Sequence, residues 1–152
     1  SSLSRKEAGE IIKNYFATYP KLKEYMDASI AFARDHGYVK TIKNRKRRLK
    51  DINSRNGVVR GHAERNAINA PIQGSAADLI KLAMIKIQNE IEQQGLKSKM
   101  LLQVHDELVF DALKSELPIL KPLIKESMET VFSSNVPLLV DIGEGSSWLE
   151  AH

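Results

Sequence analysis

Apolar positions recur at helical spacing through the first part of the chain. Ala8, Ile11, Ile12, Tyr15 and Phe16 fall on one face, which predicts a helix over residues 4–16, and Ser4 and Glu7 stand at capping-box spacing. Pro20 suits a first helical turn. From it Leu22, Tyr25, Met26, Ile30 and Ala33 carry a second stripe as far as Gly37, a C-terminal stop. Residues 38–42 are β-prone, and Asn44 can turn the chain after them, so the stretch that follows reads as a hairpin or loop. The helical period returns from about Val58. Pro71 interrupts it, which predicts a kink or a fresh start at Asn69-Ala70-Pro71. Beyond it Ile72, Ala76, Leu79, Ile80, Ala83, Ile87 and Ile91 keep the period until Gly95.

The second half changes character. Residues 99–104 and 108–111 read as two strands around a tight turn. Leu117, Leu120, Ile124, Met128 and Val131 form another amphipathic helix. Leu138, Val140 and Ile142 alternate as a third strand. Ser147 and Glu150 are placed to cap a last short turn around Trp148. Helices followed by strand, strand, helix, strand predict an α+β fold: a small, mainly antiparallel sheet packed with long helices.

Composition narrows this only a little. The 152 residues suit one domain or part of a larger one, and 42% hydrophobic with 28% charged residues is enough apolar mass for a core. No apolar run approaches the roughly 20 residues of a membrane span, and no secretory signal pattern opens the chain. With no cysteine, disulfide frameworks and thiolate metal sites are excluded. The opening Ser1-Ser2-Leu3-Ser4, without an initiator Met, is what an excised fragment would show.

Charge adds more. Lys40, Lys43, Arg45, Lys46, Arg47, Arg48 and Lys50 crowd into one short stretch without an acid, while the other sixteen basic residues face 19 acidic ones. A cluster of this kind is a solvated charged hairpin or the footprint of a polyanion. It lacks interleaved aromatics, which favours phosphate contact over base stacking.

The segment Gln103-Val104-His105-Asp106-Glu107-Leu108-Val109-Phe110 is where local preference and sequence disagree. A two-residue hairpin turn usually recruits glycine because its backbone needs positive φ. Here a His105-Asp106-Glu107 tip stands without glycine, and His and Asp tolerate that region better than most residues, at a cost. Adjacent carboxylates at Asp106 and Glu107 repel unless a cation screens them. Mg²⁺ takes such oxygen ligands together with substrate phosphates. The tip is therefore a metal site for phosphoryl transfer or a solvated acidic turn. A His-Asp phosphohydrolase would need further histidines in register, and His36, His62 and His152 have no such spacing.

Arg65, Asn69 and Gln73 are spaced i, i+4, i+8 and share one face of any continuous helix. Arg forks onto phosphates, and Asn and Gln both donate and accept. The face either reads a nucleic-acid backbone or minor groove, or is an ordinary polar surface. The small residues Gly74-Ser75-Ala76-Ala77 signal close helix packing or a nearby backbone or duplex.

Two long runs carry a resemblance. Residues 63–78, from Ala63-Glu64-Arg65-Asn66 to Gln73-Gly74-Ser75-Ala76-Ala77-Asp78, and residues 102–110 around His105-Asp106-Glu107 resemble the C-terminal part of the bacterial DNA polymerase I family, family A of the DNA polymerases. The ending Gly145-Ser146-Ser147-Trp148-Leu149-Glu150-Ala151-His152 resembles that family's C-terminus. The resemblance covers essentially the whole chain. It implies DNA-directed DNA polymerisation, the transfer of a nucleotide from a dNTP to a primer 3′-hydroxyl in replication and repair, by a two-metal Mg²⁺ mechanism in the bacterial cytoplasm. By the same resemblance Asp106 is the catalytic metal ligand and Glu107 its catalytic neighbour. His105 lies near the primer terminus, and Arg65, Asn69 and Gln73 contact primer–template DNA. Residues 1–37 correspond to the helical end of the fingers, 38–57 to a basic hairpin, and 58–152 to the C-terminal palm.

The family's second catalytic aspartate belongs to an upstream strand with no counterpart here, and its nucleotide-binding fingers helix also lies upstream. The Gly-Arg-Arg common in the basic hairpin reads Lys43-Asn44-Arg45-Lys46-Arg47-Arg48. The expectation is thus a polymerase fragment that is inactive alone and prone to self-association. A non-catalytic nucleic-acid-binding module and a purely structural domain are the alternatives.

Overall fold

The computed structural model describes residues 4–151. His152, at which the resemblance to the family's C-terminus ends, and the opening residues 1–3 lie outside the described residues. The chain divides into two compact units, 1–75 and 76–152, and the division falls inside one long helix.

In the first unit, α1 (Arg5–Thr18) opens on a complete capping box. The Ser4 hydroxyl accepts the Glu7 N–H, and the Glu7 carboxylate accepts the Ser4 N–H at 2.8 Å. Hydrogen bonding from the Ser4 hydroxyl and the Ser4 N–H holds the Glu7 carboxyl below the ordinary carboxylate range. The helix runs two residues past the predicted end. Helix α2 (Pro20–His36) starts on its proline and stops at Gly37, whose φ of 74° is the left-handed cap that favours glycine. Strands β1 (Tyr38–Lys40) and β2 (Lys46–Arg48) pair antiparallel, Tyr38 opposite Arg48 and Lys40 opposite Lys46. Asn44 turns the chain between them with φ 63°. Ala33, Val39, Leu49, Ile52, Ala63, Ala67 and Ala70 form the first core.

Helix α3 (Gly57–Gln93) begins where the Asn56 side chain accepts the Val58 N–H. It corrects the expectation of a fresh start, because it runs through Pro71 as a single helix of 37 residues. Proline removes one hydrogen bond and crowds the preceding turn. Buried side chains on either side, Ala63, Ala67 and Ala70 before it and Ala83, Ile87 and Ile91 after it, anchor the helix in each unit and outweigh that loss.

In the second unit, β3 (Lys99–Val104) and β4 (Glu107–Asp111) form an antiparallel hairpin, with an irregularity between Met100 and Leu102. Helix α4 (Leu117–Glu129) packs Leu120 and Ile124 against Ile87 and Ile91 of α3, and Leu108 and Phe110 flank this second core. The Glu116 carboxylate ties the start of β3 to the start of α4. It accepts the Ser98 hydroxyl at 2.6 Å and the Lys97 and Ser98 N–H groups at 2.9 Å.

A second correction concerns residues 138–142. The α+β class holds, but both sheets have two strands, and no third strand forms among the described residues. Alternating side chains alone do not make a strand, which needs a neighbour's ladder. The Val140 N–H goes instead to the Glu129 carboxylate at 3.0 Å. In the last element, α5 (Trp148–Ala151), Glu150 reaches back to the N–H and hydroxyl of Ser146, one residue before the expected Ser147. Gly143 and Gly145 permit that fold-back: a Cβ on Gly143 would stand 1.8 Å from the Ala151 carbonyl oxygen.

Candidate functional site

The hairpin tip is built by register. Val104 pairs with Glu107, which leaves His105 and Asp106 as a two-residue turn. Of the two, only His105 takes positive φ, at 53°. The left-handed region costs a non-glycine residue about 1–2 kcal/mol. The Gln103 side chain donates to the His105 carbonyl at 2.9 Å and braces the turn. His105 and Asp106 are exposed, while Glu107 is half-buried at the start of β4. The turn thus holds the Asp106 carboxylate out in solvent on a strained, braced corner.

Oxygen donors of this kind suit a hard cation, and Mg²⁺ is commonly held by one or two carboxylates plus substrate phosphates. Among the described residues no group of three or more His, Asp or Glu side chains converges. Asp106 and Glu107 are two adjacent carboxylates of that donor type.

Arg65, Asn69 and Gln73 are all exposed on α3, on the side away from buried Ala63, Ala67 and Ala70. With a rise of 1.5 Å per residue, they span about 12 Å along the helix. They form a polar row on a rigid element, uncommitted among the described residues. These three belong to the first unit, and the hairpin tip to the second.

The small residues after Gln73 have a clear packing role. A Cβ on Gly74 would lie 2.7 Å from Thr41 Cγ2, so only glycine admits the basic hairpin this close. Ser75 Oγ accepts the Ile42 N–H at 2.8 Å, and Arg45 donates to the Gly74 carbonyl at 3.1 Å. The hairpin is thereby docked on α3 next to the Arg65 row. Sequence reasoning saw the small residues and the basic cluster separately; nothing local joins positions 33 apart. It also passed over Tyr38 as a cation partner, although Lys46 Nζ sits 4.5 Å from its ring centroid.

Comparisons with known proteins bear on these features together. The family model for DNA polymerase family A matches residues 1–150. DNA polymerase I of Caldicellulosiruptor bescii is 53% identical over 148 residues, and that of Streptococcus pneumoniae 52% identical over 149, covering 97% and 98% of this chain. The chain spans 17% of the length of either relative. Among solved structures, the POL domain of Pol1 from M. smegmatis, in complex with DNA primer-template and dNTP, is similar with a TM-score of 0.95 at 43% identity. The alignment covers 98% of this chain and 26% of that one. With nearly its whole length matched in sequence and in fold, the chain belongs to DNA polymerase family A.

Proposed function

We propose that this chain supplies the metal-binding hairpin and part of the DNA-contacting surface of a DNA-directed DNA polymerase, which transfers a nucleotide from a dNTP to a primer 3′-hydroxyl. The observation that carries the reading is the His105-Asp106 turn, where an exposed carboxylate is set on a strained backbone without glycine. Strain of that kind persists where function requires it. Asp106 acts as a metal ligand, and Glu107 stands beside it as the second carboxylate. His105 faces the primer terminus. When bound, Mg²⁺ supplies charge neutralisation on the phosphate oxygens. Arg65, Asn69 and Gln73 hold primer–template DNA, Arg65 through phosphate and the two amides through base or sugar edges.

On this reading residues 1–37 are the end of the fingers, 38–57 a basic hairpin, and 58–152 the C-terminal palm. The setting is replication and repair in a bacterial cytoplasm; no helix is long and apolar enough to cross a membrane among the described residues. The 152 residues alone are inactive, because two adjacent carboxylates cannot complete a two-metal centre. Primer extension with the purified chain tests this: template-dependent incorporation would refute it. Exposed apolar side chains such as Leu139 and Leu149, 83% and 89% accessible, favour self-association of the isolated chain. Sedimentation as a clean monomer would exclude that.

A non-catalytic nucleic-acid-binding module is the second reading for the chain alone, carried by the basic cluster from Lys40 to Lys50 and the exposed Arg65, Asn69 and Gln73 row. It predicts salt-dependent DNA binding by the purified chain, and no binding at low salt would remove it.

A further inference from the structure

Helix α3 is fastened to the rest of its unit beside each member of the polar row. The hydroxyl of half-buried Tyr25, on α2, donates to the Ile68 carbonyl at 3.1 Å. Arg34, further along α2, lies 2.6 Å from the Glu64 carboxylate. Arg45 of the basic hairpin donates to the Gly74 carbonyl. Glu64 precedes Arg65, Ile68 precedes Asn69, and Gly74 follows Gln73. Each residue of the row thus has a chain neighbour tied to another element.

The Tyr25 contact acts closest to the backbone of the row. The Ile68 carbonyl is half of the planar peptide group whose nitrogen belongs to Asn69. Holding that plane sets the direction in which the Asn69 Cα–Cβ bond leaves the helix. The contact also falls in the turn that Pro71 weakens. Proline offers no N–H, so the Ala67 carbonyl loses its usual partner there. A helix bends most readily at such a place, and a bend there would swing Asn69 relative to Gln73. Amide hydrogen bonds fall off steeply with angle, so small errors in that direction matter. A tyrosine hydroxyl on a packed ring is a stiff way to prevent them.

We propose that Tyr25 is a positioning residue for primer–template binding: its hydroxyl, seated on the Ile68 carbonyl, sets the angle at which Asn69 meets the DNA. The proposal rests on the reading above that Arg65, Asn69 and Gln73 hold primer–template DNA. It adds a residue that acts through α3 rather than on the DNA itself.

Tyr25→Phe in the full-length protein removes the hydroxyl and keeps the ring. The Kd for a primer–template duplex, the single-turnover rate at saturating DNA and dNTP, and the thermal midpoint are measured for each variant. In Tyr25→Phe the Kd should rise about three- to tenfold, the scale of one net hydrogen bond. The rate at saturation should stay near wild type, because the loss is one of binding. Asn69→Ala should weaken binding by itself, and the Y25F/N69A double variant should bind no more weakly than Asn69→Ala. A purely structural tyrosine would give a lower midpoint and an additive loss instead, so the cycle decides even where Tyr25→Phe is less stable. Ser29→Ala removes another α2 hydroxyl, one that donates to the Tyr25 carbonyl at 2.8 Å, and should leave the Kd unchanged.

A wild-type Kd in Tyr25→Phe beside a weakened Asn69→Ala would overturn the Tyr25 role alone. So would a Tyr25→Phe loss that persists in the Asn69→Ala background, or an equal loss in Ser29→Ala. An unchanged Kd in Asn69→Ala would instead remove the DNA-holding role of Asn69, and the Tyr25 proposal with it.

Discussion

Gly74 of α3 and Thr41 of the basic hairpin touch so closely that the hairpin's position depends on a missing side chain. A Cβ on Gly74 would come within 2.7 Å of Thr41 Cγ2, and Thr41 is itself buried. Alanine in place of a helical glycine normally gains about 1 kcal/mol. Here the contact reverses the sign, because a stiff, enclosed methyl group cannot withdraw. Overpacking of this sort costs about 1–3 kcal/mol. Gly74→Ala is therefore expected to lower the thermal midpoint. Thr41→Ser removes the methyl group but keeps the hydroxyl that accepts the Arg45 N–H, so the double variant should recover the loss. A double variant as unstable as Gly74→Ala would contradict this account of the contact.

Asp106→Ala in the full-length protein separates chemistry from binding. Removing the proposed metal ligand would forfeit several kcal/mol of charge stabilisation, so the single-turnover rate should fall on the order of 10³-fold or more. DNA affinity should change little, since one carboxylate at an exposed tip repels phosphate if it acts on it at all. A rate near wild type would defeat the assignment of Asp106.

His105 offers a test in which stability and activity move in different directions. Its φ of 53° is comfortable for glycine. His105→Gly should leave thermal stability unchanged or raise it by up to about 1 kcal/mol, while primer extension should fall if, as proposed, the lost imidazole serves the primer terminus. If extension survives intact, His105 is only a turn residue.

Acid should loosen the second unit through Glu116. Hydrogen bonds from the Lys97 N–H, the Ser98 hydroxyl and the Ser98 N–H hold its carboxyl below the ordinary range. A carboxyl depressed in the folded state contributes stability that is fully present above its unfolded pKa. That stability is lost as pH falls through the folded value. Glu116→Gln, which retains the shape without the charge, should flatten the acid limb of a midpoint-against-pH curve. Parallel acid limbs for the two proteins would show that this carboxylate contributes nothing to the pH dependence.

Legibility along the chain followed the range of each signal. The capping box at Ser4 and Glu7, the stop at Gly37, the turn at Asn44 and the hairpin around His105 all depend on residues within about four positions of one another. All four were readable and all four formed. The fresh start expected at Pro71 did not form because the proline's local cost, though real, is overridden by packing at Ala63, Ala67 and Ala70 and at Ala83, Ile87 and Ile91. Residues 138–142 misled for the opposite reason: the alternation is real, but the ladder partner a strand needs is not supplied by neighbours in sequence.

The amino-acid order by itself determined the helices, the two tight turns, the location of the basic cluster and the family resemblance. These are written in spacing, capping and turn chemistry over a few residues. Only the tertiary structure decided that the basic hairpin docks at Gly74 and Ser75, that the Tyr25 hydroxyl meets the Ile68 carbonyl, and that Glu116 ties β3 to α4. Those outcomes depend on surfaces brought together across tens of residues, where burial and close packing choose among arrangements that local preference leaves equal.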